Sequence, residues 1–123
     1  MPVRAFEAGI RDQQGVTVID LKGEVDALAK EALEAAYAEA ISGEPSAVLL
    51  NFDGVGYVDS RGIALIVGLL MLAREADRRL LVCGLSEHYH TIFQITRLAD
   101  FLSIFPDEAT AVADALASVA TDS

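Results

Sequence analysis

Apolar residues in this chain follow two rhythms, short runs or alternations bounded by turn residues and longer stretches that repeat every three or four positions. The first marks strands and the second helices, because side chains alternate across a strand but recur every 3.6 residues on a helix. Both rhythms meet in residues 47–73, AVLLNFDGVGYVDSRGIALIVGLLMLA. The run 47–50 reads as a strand buried on both faces, the polar, glycine-punctuated segment 51–60 as a loop, and the run 63–73 as a helix. Such a loop lies at the carboxyl end of a parallel strand, where open α/β sheets usually bind ligands or partners. Asp59, Ser60, Arg61 and Gly62 stand at its exit. Ser60 is thereby expected at the amino end of the helix, where unpaired N–H groups and the macrodipole favour an anion.

Around this stretch the same reading gives a mixed α/β order. Residues 3–10 and 16–22 are strand-like and form a hairpin across the polar connection 11–15. Gly23, Glu24, Val25 and Asp26 interrupt the pattern, and Asp26 is a natural N-cap for a helix over 27–41 in which Leu33, Ala36, Tyr37, Ala40 and Ile41 share a face. Gly43 and Pro45 stop that helix. The charged connection 74–79 returns the chain to a buried strand at 80–83, making a right-handed βαβ unit. Ser86 and Glu87 open an amphipathic helix to Ile95 with Ile92 and Phe93 inward, 101–105 is a short last strand, and Pro106, Asp107 and Glu108 start a helix over 109–120. The tail 121–123 is expected to fray. The sum is a single α/β domain, a small mixed sheet with an N-terminal hairpin and parallel strands, covered by about four helices.

Composition narrows the function classes. At 123 residues and 53% apolar content the chain can bury a core. Its longest apolar run is about half of what crosses a bilayer and its first residues carry no signal-peptide core, so a cytoplasmic protein with no membrane insertion is expected. Nine basic and nineteen acidic residues give a formal charge of −10, which argues against direct nucleic-acid binding. The one cysteine, Cys83, lies within an apolar run and reads as a buried structural thiol.

The candidate chemistry points away from catalysis. His88 and His90, two apart on a helix, face about 200° from each other and cannot share a metal, so no metal or other cofactor is expected. Glu24 and Asp26 more simply cap and solvate a turn than form an acid/base pair. Ser60 lacks a nucleophile elbow and a placeable base, and the glycines at 54, 56 and 62 are not followed by the Lys-Ser or Lys-Thr of a phosphate loop. What remains for Ser60 is a plain helix cap or a site of regulated modification. A phosphoryl group there would add nearly two negative charges beside Asp59, with Arg61 close enough in sequence to pair with it.

Three blocks, LKGEVDALAKEAL, AVLLNFDGVGYVDSRGIALIVGL and LLVCGLSEHYHTIFQITRLADFLSIFPDEATAVADAL, together resemble the STAS family, the sulfate-transporter and anti-sigma-factor-antagonist domain. The resemblance rests on an Asp-Ser-x-Gly signature after a buried strand, here Asp59 to Gly62, preceded by a Gly-Glu-hydrophobic-Asp turn, here Gly23 to Asp26. It implies a non-enzymatic anti-sigma factor antagonist that, unphosphorylated, binds an anti-sigma factor that is also a serine kinase and so frees a sigma factor. Ser60 would be the phosphoacceptor, reset by a metal-dependent serine phosphatase, with Asp59 shaping its loop and Glu24 and Asp26 on the partner-facing turn. Alternatives from the same resemblance are a subunit docking on a lipid-transport ABC system and a nucleotide-sensing module.

The chain departs from the family pattern in places. Arg61 replaces the usual Ser or Thr, Arg97 stands where glycine is common, and residues 75–79 lack a turn glycine. In the helix after Gly62, Leu65, Leu69 and Leu72 form a second apolar stripe beside Ile63, Ile66, Val67, Leu70 and Met71, a candidate surface for a partner or for a second copy in a homodimer.

Overall fold

In the computed structural model, which describes residues 5–121, the strands form one five-stranded sheet in the order β1-β2-β3-β4-β5. They are β1 Glu7–Gln13, β2 Val16–Val25, β3 Ala47–Val58, β4 Arg79–Cys83 and β5 Ser103–Phe105. β1 and β2 pair antiparallel and every later neighbour is parallel. The helices are α1 Lys30–Ile41, α2 Ser60–Glu75, α3 Glu87–Ile95 and α4 Glu108–Thr121. The expected mixed sheet with four helices is therefore present. Val3 and Arg4 of the expected first strand, and Asp122 and Ser123 of the tail, lie outside the described residues. Thr121 closes α4 rather than belonging to the tail.

The pleat of β2, β3 and β4 decides which helix goes where. Ile19, Leu21, Val48, Leu50, Leu80 and Val82 meet α1, α2 and α3 in the larger core, which holds Leu33, Tyr37, Ile66, Leu69 and Phe93. On the opposite face Val16, Val18, Leu49, Leu81 and Cys83 pack against Ala111, Val112 and Ala115 of α4 alone. Cys83 is buried there, and desolvation pushes its thiol up to about 12, as befits a structural cysteine.

Three differences from the sequence reading have physical causes. The hairpin connection is two residues, not five, because Gln14 (φ 56°) and Gly15 (φ 93°) make the tight left-handed turn that suits twisted antiparallel strands. The helix expected from residue 27 begins as a 3-10 turn over Ala27–Ala29, capped by Asp26, which accepts from Leu28 N–H at 2.9 Å. The segment 51–58 is strand rather than loop. β2 continues beside it to Val25, with register shifts between Asp20 and Lys22 and between Gly23 and Glu24. Those bulges place Phe52 and Val58 in the larger core and pack Val55 against it, a spacing of three that hides a strand from any search for alternation.

Two departures from glycine meet the same backbone demand. Asp77, in the turn after α2, has φ 56°, and Arg97, after α3, has φ 68°. Both hold the left-handed conformation without glycine, which costs on the order of 1 kcal/mol for a residue bearing a Cβ. Arg97 also pairs its Nε with Asp100 across an exposed turn, a contact of small worth.

A charged cluster ties the hairpin to α4. Arg11 on β1 pairs with Asp20 on β2 and with Glu108 at the start of α4, Gln13 donates to Glu108 at 2.9 Å, and Asn51 donates to Asp20 at 3.0 Å. The Arg11 guanidinium holds both carboxyls below their usual range. Depressed folded values mean that this stability is full above the unfolded values, near 3.9 and 4.3, and fades as pH falls through the folded ones. Arg11→Gln is expected to cost about 1 kcal/mol at pH 7 and to flatten the acid limb of the unfolding midpoint below pH 4, as read by circular dichroism. Arg97→Gly is expected to stabilise by about 0.5 kcal/mol, strain relief outweighing the lost ion pair and the freer unfolded chain, in urea unfolding; a lower midpoint would contradict the strain assignment.

Candidate functional site

The end of β3 delivers residues 59–62 to the start of α2, and three neighbours fix it. Val25 pairs with Val58, the Val25 carbonyl oxygen accepts from Asp59 N–H at 3.2 Å, and the Tyr89 hydroxyl of α3 accepts from Val58 N–H at 3.0 Å. Gly62 is buried against β2. A Cβ at this position would collide with the Val25 carbonyl oxygen and stand 3.0 Å from its Cγ1. Only glycine lets α2 start so close to β2.

Asp59, not Ser60, is the N-cap of α2. Its backbone is extended, and its Oδ1 accepts from the N–H groups of Arg61 at 3.0 Å and Gly62 at 2.9 Å. Its Oδ2 accepts from Arg61 Nη2 at 3.0 Å. The Gly62 N–H, with the Arg61 side chain, holds the Asp59 carboxyl below the usual carboxylate range. With the cap role taken, Ser60 is the first residue of the helix, exposed, and its hydroxyl holds no hydrogen bond among the described residues.

The Gly23 to Asp26 turn lies beside this signature. Glu24 pairs with Tyr57 and Val25 with Val58, so Glu24 and Asp26 flank the strand end that leads to Ser60, both partly exposed. Among the described residues of this site, Glu24, Asp26, Asp59, Ser60 and Arg61, the cation is Arg61. The arrangement has an acidic rim, an unpaired hydroxyl and a single arginine already engaged with Asp59.

Sequence reasoning missed two apolar members of this surface. Leu28, in the 3-10 turn after Asp26, is 88% exposed, and Tyr57, opposite Glu24, is 47% exposed. Leu28 lies off the face that Leu33, Ala36 and Tyr37 share, and that mismatch was the available signal. The leucine stripe divides differently from the expectation. Leu69 is 2% exposed and belongs to the core, where it offers nothing to a partner, and Leu65 is partly buried against the same core. Leu72 and Met71, the latter expected inside, reach solvent instead at 51% and 59%. α2 packs against β2, β3 and β4 and also touches α1, which covers Leu69 of the second stripe as well as Ile66 and Leu70 of the first.

Among the described residues no group of three or more His, Cys, Asp or Glu side chains is placed to hold a metal, and no helix is long and apolar enough to cross a membrane. His88 and His90 are exposed on α3, with His88 edge-on to Tyr89. Nothing in the site pairs Ser60 with a base.

Gly62→Ala is expected to destabilise the fold by about 1–3 kcal/mol, because the obstacle is backbone, with the loss read in urea unfolding. Asp59→Asn keeps an acceptor for Gly62 N–H but frees Arg61, so a drop in the urea midpoint smaller than that of Gly62→Ala is expected by the same measurement.

Comparison with known proteins agrees with this geometry. The STAS domain model matches residues 8–111. Anti-sigma-B factor antagonists of Staphylococcus aureus and Staphylococcus epidermidis are 33% and 37% identical over 57 residues, 46% of this chain and 53% of theirs. The match thus spans about half the length of these curated relatives. Among solved structures, an anti-sigma factor antagonist from Mycobacterium paratuberculosis superimposes with a TM-score of 0.79 at 19% identity, covering 89% of this chain and 93% of that one. The Bacillus cell fate determinant SpoIIAA in its phosphorylated form gives 0.67 at 25% identity, covering 90% and 99%. The glycine-dependent junction of β3 and α2 is therefore carried on a shared architecture, and the chain belongs to the STAS domain family.

Proposed function

We propose that this protein is an anti-sigma factor antagonist whose association with an anti-sigma factor is switched at Ser60. The observation that carries the reading is the exposed Ser60 hydroxyl, free of the capping role and set beside Glu24, Asp26, Leu28 and Tyr57. Unphosphorylated, this surface offers an apolar contact at Leu28 and Tyr57 within an acidic rim, features that suit a docking face. Phosphorylation adds nearly two negative charges next to Asp59 and the rim. The helix N-terminus and Arg61 offset part of that charge in water, but a dianion buried without full pairing in an interface costs several kcal/mol. The switch follows from that asymmetry.

In this reading the partner is an anti-sigma factor that doubles as the serine kinase, and a metal-dependent serine phosphatase restores binding. The chain itself acts as a binding protein and not as an enzyme. Related support comes from SpoIIAA, solved both with and without its phosphate. Arg61 adds a particular feature. Its guanidinium is committed to Asp59, and a phosphoryl group on the neighbouring residue competes for it, so Arg61 moderates the charge change and faces the kinase as a cation where a hydroxyl is usual.

Incubation with the cognate kinase and ATP is expected to add the mass of one phosphate, abolished in Ser60→Ala. Ser60→Glu is expected to weaken binding of the anti-sigma factor by at least about 30-fold, the equivalent of about 2 kcal/mol, in isothermal titration. Unchanged affinity of Ser60→Glu would overturn the switch, and modification at another residue would overturn the site.

A further inference from the structure

In a chain with nineteen acidic and nine basic residues, most cations can find a carboxylate. Three arginines meet at a cleft of about 390 Å³ where α2 ends and β4 begins, and two of them, Arg74 and Arg78, take no carboxylate among the described residues. Arg74, in the last turn of α2, stacks over the Phe101 ring at 5.3 Å from its centroid and takes no carboxylate among the described residues. Arg78 donates through Nε to the Pro45 carbonyl oxygen at 2.8 Å. Arg79 donates through Nη2 to Ser103 Oγ at 3.0 Å and to Asp114 at 2.9 Å, while its Nη1 is buried with no acceptor among the described residues. Asp100, the one carboxylate lining the cleft, is engaged by Arg97. Leu70 and Leu80 line the rest beside Phe101.

This arrangement runs against the molecule's own stability. Like charges repel across the cleft, and Asp114 offsets only the Arg79 charge. An oxyanion held between Arg74 and Arg78 relieves that repulsion. Guanidinium groups present N–H donors in a fixed fork that matches phosphate oxygens, and an arginine stacked on a ring keeps its in-plane N–H groups free. The leucines and the Phe101 ring give the cleft an apolar wall that a bare inorganic ion would leave unused. Ser60 opens α2 and Arg74 lies fourteen residues on, about 21 Å along the helix, so the cleft is separate from the switch surface and does not rest on that reading.

We propose that this cleft is a binding site for a small phosphate ester, its anionic oxygens taken by Arg74 and Arg78 and its organic portion laid against Phe101 and Leu70. The test uses phenyl phosphate as the probe, titrated into the isotope-labelled full chain and followed by amide chemical shifts, with inorganic phosphate alongside. Saturable shifts centred on Arg74, Arg78, Leu80 and Phe101, with phenyl phosphate binding more tightly than inorganic phosphate, are expected. Arg74→Gln is expected to weaken phenyl phosphate at least about tenfold, and Arg74→Lys, which keeps the charge and loses the fork, by less. Ser60→Ala is expected to bind as the parent does. Absence of saturation, shifts centred elsewhere, equal affinity for the two probes, or parental affinity in a folded Arg74→Gln, Arg78→Gln double variant would each overturn the proposal.

Discussion

The close approach of α2 to the end of β2 is the constraint on which the rest of the structure depends. Gly62 lets the helix start against the Val25 carbonyl, and the Asp59 N–H donates to that same oxygen. One peptide oxygen thus receives the chain leaving β3 and limits how near the next element can come. The Asp59 side chain then closes the first turn of α2 through Arg61 and Gly62 N–H. Because the aspartate caps, the serine between it and the glycine is left facing outward. Exposure of that hydroxyl is a by-product of helix capping chemistry, with no dedicated support needed.

The two faces of the sheet serve different ends. Three helices cover one face and one covers the other, so the second is left with a polar, partly open surface around Asp20, Asn51, Asp53 and Lys22. Arg11 bridges that gap by joining β1, β2 and α4 through Asp20 and Glu108. Where apolar burial is thin, charged groups fix the relative placement of hairpin and helix. Five of the nine cations stand where geometry assigns them a task, Arg61 on Asp59, Arg11 on Asp20 with Glu108, and Arg74, Arg78 and Arg79 around the Phe101 cleft.

Much of this architecture was legible in the sequence, and most of the failures share a cause. Continuous runs such as 47–50 and 80–83 announced the parallel strands because both faces of them are covered. The signature from Asp59 to Gly62 announced the site. Segment 51–58 reads as loop because two bulges within it, each an extra residue opposite β2, change the inward spacing from two to three, and bulges belong to the pairing of two segments rather than to either alone. The same limit put Leu69 on the wrong side of α2, since a periodic stripe gives the faces of a helix without giving how many neighbours it has. Leu28 is a different case, since it lies off the face that Leu33, Ala36 and Tyr37 share and its exposure was open to a periodicity argument. The glycine-free turns at Asp77 and Arg97 were visible as departures, and their left-handed backbone shows that the fold keeps its path and accepts the strain.

The lone cysteine carries a practical consequence. Cys83 is enclosed between β4 and α4 and its thiol is pushed up to about 12, so at neutral pH almost no thiolate is present to react. A second cysteine introduced at an exposed position such as 28 or 72 would then be the sole reactive handle on the folded molecule. A fluorophore or spin label could be attached there without first removing the native thiol.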